Sequence, residues 1–167
     1  MEDRVRKWGE RSLAAVERQQ WLDRPSYRLE HALTFGFAAL GGARERISNL
    51  LHGTWLGHPV HPILVQVPVG SWTSAGLLDA IPRLRPAATV LIGTGVAVSV
   101  PAALSGAADW SEQGIGVRRL GLLHAAGNTV ALGLYIGSLV ARARGRGGLG
   151  RVLSYACLLY TSPSPRD

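Results

Sequence analysis

Five histidines occur in this 167-residue chain, and three of them, His52, His58 and His61, fall within ten residues. They lie in "LLHGTWLGHPVHPILVQVPVG", Leu50–Gly70, where His58 and His61 each precede a proline. A neutral imidazole is a ligand for haem iron and for borderline transition metals, so repeated His-Pro steps raise that chemistry first. A residue before proline is pushed out of the helical region. His58 is therefore expected in extended chain, and His61 at an N-cap with Pro62 as the first helical residue. Capping alone is the other reading of His61.

The remaining polar candidates stand where apolar segments begin or end. "PILVQVPVGSWTSAGLLDAI" (62–81) carries one acid, Asp79, and "PAATVLIGTGVAVSVPAALSGAA" (86–108) carries no charge. "LGLLHAAGNTVALGLYIGSLVA" (120–141) has His124 and Asn128 but no formal charge. Each approaches the ~20 residues needed to cross a bilayer core. Their Gly, Ala, Ser and Thr content suits close helix packing in lipid. In an up-down-up arrangement, the start of the first span, the end of the second and the start of the third share one face. That places His58, His61, Asp109, His124 and Asn128 at one depth. His124 and Asn128 are one turn apart on one helix side. Ionisable groups inside a bundle mark a functional site by default. The expectation is that His61 and His124 bind haem, such as haem b, or a metal ion, with His58, Asp109 and Asn128 around them and Asp109 orienting an imidazole. The alternative is a helix-to-helix hydrogen bond by His124. His31 and His52 are expected as surface residues at the interface. Asp79, at the opposite face, is expected to cap its helix or pair with Arg83 or Arg85.

Composition frames these residues. Hydrophobic residues make up 47% of the chain and charged residues 17%, below the roughly 25% usual in soluble domains. Residues 1–46 hold nine of the 18 Lys+Arg and seven of the 11 Asp+Glu. Val5, Trp8, Leu13, Val16 and Trp21 are spaced for an amphipathic helix on the membrane surface. "RLEHALTFGFAALGG" then predicts a second short helix, stopped by Gly41–Gly42. No secretory signal pattern is visible, and a long polar tail without one favours a cytoplasmic N-terminus. Counts of Lys and Arg by themselves do not decide the orientation. Despite the formal charge of +7, no basic run is interleaved with aromatics, which argues against nucleic acid. Arg142, Arg144, Arg146 and Arg151 lie in a glycine-rich loop suited to anionic headgroups. No nucleophile–base pair or phosphate-cradling loop occurs, so catalysis by this chain alone is not expected.

The fold class read from the sequence is all-α. It comprises an N-terminal amphipathic segment (1–49) and a polytopic membrane bundle (50–156) with three complete spans and a truncated fourth from about 150. The end, "CLLYTSPSPRD" (157–167), resembles a transposon-end sequencing adapter translated in one frame, and is expected to be non-native. Cys157 is the only cysteine, so on that reading no thiolate chemistry belongs to the native part.

"LLHGTWLGHPVHPILVQVPVGSWTSAGLLD", "SGAADWSE" and "RRLGLLHAAGNTVALGLY" together resemble a bacterial family of predicted integral-membrane proteins catalogued as a domain of unknown function. The resemblance covers Leu50–Ala156, and the LHGxxLGHPxHP block is its most specific part. It implies a multi-pass protein of the bacterial inner membrane. It also implies a fourth helix ending in Gly-Gly-His-Leu and, in some members, a following Rieske-type iron–sulfur domain; neither pattern stands in this chain. The resulting expectation is a redox module or anchor in the bilayer, with a Rieske domain or other redox partner and self-association into a homo-oligomer. The alternatives are a non-catalytic scaffold, or a small transporter-like element with Gln66, Asp109 and Asn128 along a polar path.

Overall fold

A computed structural model describes residues 14–16 and 18–161, the side chains only to Leu159. The expected amphipathic positions Val5, Trp8 and Leu13 lie outside the described residues. Among the described residues from 20 onward the α-helices are α1 Asp23–Ala38, α2 Arg44–His52, α3 His61–Leu64, α4 Gln66–Asp79, α5 Arg85–Ser111, α6 Ile115–Ala143 and α7 Gly147–Thr161. No strand occurs among the described residues.

The expected first span, 62–81, is not one complete helix. Pro68 has no N–H to give to Leu64, and its ring crowds that carbonyl, so the helix breaks at Val65 between α3 and α4. At 1.5 Å per residue, the 14 residues of α4 reach about 21 Å, short of the ~30 Å hydrocarbon core. Among the described residues, two helices are long and apolar enough to cross: α5 with its preceding turn (Pro82–Ser111, 30 residues) and α6 (29 residues). Only 22% and 11% of the residues in their most apolar stretches are buried, unlike the core helices of a water-soluble domain. Val90, Val100, Leu104 and Val130 on these helices are each more than half accessible.

Short turns fold α4 onto α5 and α6 onto α7 as two antiparallel hairpins, and α5–α6 and α4–α7 contacts join them. Gly145, with φ +73°, makes the turn into α7, a left-handed conformation that a Cβ disfavours. The core is built mainly from small residues and one aromatic pair. Ala75, Ala88, Ile92, Ala131 and Tyr135 are buried together, and the Trp72 ring stacks on Tyr135 at 4.1 Å. Cys157 joins this core. The apolar run Cys157–Leu159 continues the helix, with Cys157 buried and Leu159 exposed.

α1 begins at Asp23 and ends at Ala38, ahead of Gly41. It is fastened to the first turns of α6 by charge. Arg119 meets Asp23 through two hydrogen bonds, Nε–Oδ1 2.6 Å and Nη2–Oδ2 2.8 Å, and Arg118 pairs with Glu30. The Arg119 hydrogen bonds hold the Asp23 carboxyl below its ordinary value near 4. A carboxyl with a depressed folded value stabilises fully above the ordinary value and stops doing so as pH falls through the lower one. α1 is thus expected to loosen below about pH 4. Amide exchange across 23–38 should rise there while α5 stays protected, and Asp23→Ala should remove the transition.

Candidate functional site

The histidine end of the bundle is shaped by tight turns. α2 stops at Gly53 (φ +72°), where a side chain would also collide with the His58 carbonyl 2.2 Å from a Cβ. After a 3-10 turn and Gly57, the chain re-enters a helix at His61. Val60 is the N-cap, and His61 is the first helical residue rather than the cap; no side chain caps this end. His58 lies outside any helix and is exposed.

Freed from capping, the His61 ring packs on α5. Its Nδ1 lies 2.8 Å from the Ala102 carbonyl, which only accepts, so Nδ1–H is the donor. Ser105 Oγ, donating to the same carbonyl at 3.0 Å, stands 3.4 Å from Nδ1. Gly106 supplies the floor: a Cβ there would sit 2.6 Å from His61 Cε1. The ring thus carries a donor on Nδ1, and no hydrogen bond reaches Nε2 among the described residues. This is the state in which a histidine ligates iron or zinc.

The structure separates the other expected site residues. Asp109 does not orient His61. Its Oδ1 takes a hydrogen bond from His52 Nδ1 at 2.8 Å, and Glu112 lies 3.3 Å from His52 Nε2. His52, expected as a surface residue, is thus the joint between α2 and the end of α5. It is the last residue of its helix, just before a left-handed glycine, so its ring can reach back to the neighbouring helix. His124 is exposed, and its Nε2 accepts from the Asn128 amide at 2.8 Å, a pair within one helix. His31 is exposed on α1. Gln66 donates to the Pro62 carbonyl at 3.4 Å, so Gln66, Asp109 and Asn128 each spend their polar group on a different neighbour. Among the described residues, no three His, Cys, Asp or Glu side chains converge as a metal cage. A cleft beside His52, lined by Arg44, Ser48 and Glu112 among others, holds about 90 Å³, room for a few waters and not for a macrocycle.

At the opposite end, Asp79 is 2% exposed and pairs with Arg142 rather than Arg83 or Arg85. Arg142 Nη1 donates to Oδ1 at 2.9 Å and Nη2 to Oδ2. The guanidinium also reaches Ser138 Oγ at 3.1 Å, Thr89 Oγ1 at 3.3 Å and Ser154 Oγ at 3.4 Å. Ser138 donates to the Gly150 carbonyl at 2.7 Å and meets Ser154 at 2.8 Å. Four helices share this network, so Arg142 faces inward and not toward lipid headgroups. A signal for it was visible: Asp79 is the one acid between residues 62 and 108. A buried carboxylate requires a cation, and Arg142 lies in the last turn of α6, which runs parallel to α4 and ends at the same depth.

Two helices of lipid-crossing length with outward apolar side chains fit a bilayer as surroundings. Residues 57–162 match the family described as predicted membrane protein, DUF2231. That stretch is more than half of the chain, and the chain belongs to this family. No curated protein and no solved structure matches it.

Proposed function

We propose that this chain is a multi-pass redox module of the bacterial inner membrane, in which His61 ligates haem iron or another metal. In this reading, the 61–79 segment and α7 also cross the bilayer, beside α5 and α6. The module anchors a Rieske-type iron–sulfur domain or another electron-transfer partner at the His61 face. The observation that supports it is the His61 tautomer, with Nδ1–H on the Ala102 carbonyl and Nε2 uncommitted. The Ala102 carbonyl fixes the ring, and Gly106 gives it room. One axial histidine is enough for haem, which when bound supplies one-electron chemistry. His124, whose Nε2 is taken up by Asn128, is the weaker donor. The 157–167 tail stays outside this functional unit, and sequencing the source locus across that codon stretch tests this.

Haemin added to the purified full chain in detergent should give a Soret band. His61→Ala should abolish it and His124→Ala should keep it. Gly106→Leu, which displaces the ring, should weaken binding about 10–100-fold, as loss of a supporting contact does. No band in the unaltered protein, or an undiminished one in His61→Ala, rejects the reading. A second reading, a non-catalytic scaffold, is favoured by the Asp79–Arg142 network, which joins four helices and leaves no acceptor over. It predicts no band in any variant.

A further inference from the structure

We propose that the Asp79 end of the bundle is a docking surface for anionic phospholipid headgroups, built from Arg83, Arg85, Arg144, Arg146 and Arg151. The inference is independent of the role of His61. Arg142 bonds to Asp79 and Thr89, which brings the 80–84 turn, the start of α5, the 144–146 turn and the first turns of α7 to one end. The carboxylate there, Asp79, is already neutralised by Arg142. The five other arginines have no carboxylate partner among the described residues, so their charge is available to a ligand. The other end differs: Arg118 and Arg119, in the first turns of α6, are taken up by Glu30 and Asp23.

A second observation points to an absent acceptor. Arg85 is partly exposed, and its buried Nε has no hydrogen-bond partner among the described residues. Arg85 opens the 27-residue α5, whose first turn has neither a side-chain cap nor an acid. Uncapped N–H groups and the helix dipole favour an anion at that point. The first turn of α7 also lacks an acid. Guanidinium forks match phosphate oxygens pairwise, with more geometric specificity than an ammonium group has.

The apolar surroundings select a lipid over a free phosphate. Leu77 is 72% exposed on the last turn of α4 before the 80–84 turn, Val90 is 68% exposed about one turn beyond Arg85 on α5, and Val152 is 63% exposed beside Arg151 on α7. A ligand at this end therefore meets cations at headgroup level and apolar side chains at acyl-chain level. A phospholipid carries both, and inorganic phosphate carries one.

The test uses the full chain reconstituted in phosphatidylcholine bilayers with spin-labelled phosphatidylglycerol or spin-labelled phosphatidylcholine at the protein boundary. Phosphatidylglycerol should be preferred by about fivefold or more, the worth of one well-placed arginine, and high salt should reduce this. Changing all five arginines to glutamine should remove the preference, and changing them to lysine should keep most of it. Arg144→Gln with Arg146→Gln, both on an exposed turn, should lower it measurably without disturbing the helices. Arg24→Gln with Arg28→Gln, at the other end, should leave it intact. Equal occupancy by the two lipids, or a preference unchanged in the glutamine variants, overturns the proposal. So does loss of the preference to inorganic phosphate beyond that caused by chloride at equal ionic strength.

Discussion

Arg142→Leu is expected to destabilise the bundle by about 3–5 kcal/mol, the usual cost of leaving one partner of a buried ion pair alone. Asp79 is 2% exposed, and the Arg142 side chain is 8% exposed. Without the guanidinium, the carboxylate must take up a proton or open the helix ends to water. Ser138, Thr89 and Ser154 lose a shared donor in the same step. Asp79→Asn keeps an acceptor near Arg142 and should cost less. The double change Asp79→Leu with Arg142→Leu should recover much of the loss, because the unpaired charge then disappears. Thermal unfolding in detergent, followed by loss of the monodisperse species on gel filtration, measures all three. A single Arg142→Leu variant as stable as the double one would show that the pair carries no such burden.

Gly95→Ala should cost about 1–3 kcal/mol, the range for overfilling a packed core. Its Cβ would lie 2.2 Å from Trp72 Nε1 and under 3 Å from two further ring atoms. Trp72 cannot retreat easily. It is stacked on Tyr135 at 4.1 Å and donates to the Ile92 carbonyl at 3.4 Å. Trp72→Phe, which removes the ring portion nearest that Cβ, should offset part of the loss in the double variant. Gly93→Ala is the contrast two residues away. Nothing stands within 4 Å of its Cβ, so the gain in helix propensity, up to about 1 kcal/mol, should dominate. If both alanine variants melt alike, the wedge of Trp72 into α5 is not a close contact. Near-ultraviolet circular dichroism of Trp72 and its neighbours reports the displacement directly.

The histidine end shows how far residue types carry an argument. Topology placed His61, Asp109 and His124 near one membrane face, and this followed from where apolar runs start and stop. Which of them touch depended on rotation about helix axes and on turns of a few residues. Asp109 went to His52, because a helix ending at Gly53 aims its last side chain back at α5. His124 turned to its own Asn128, since one turn of helix already brings them together. His61 missed the cap by one position, because the helix begins at His61 and not at Pro62.

The sequence by itself determined the solvent of this protein, its helical class and the places where chain direction reverses. Those properties rest on runs of uncharged residues, glycine and proline positions and charge counts, all of which are local. It could not decide that Pro68 would shorten the first apolar segment to a broken helix, because neighbours can re-satisfy a freed carbonyl elsewhere, as Pro101 within unbroken α5 shows. Nor could it choose Arg142 over Arg83 and Arg85 for Asp79. That choice depends on which guanidinium lies at the depth of the carboxylate once four helices are packed, and only the tertiary structure sets that depth.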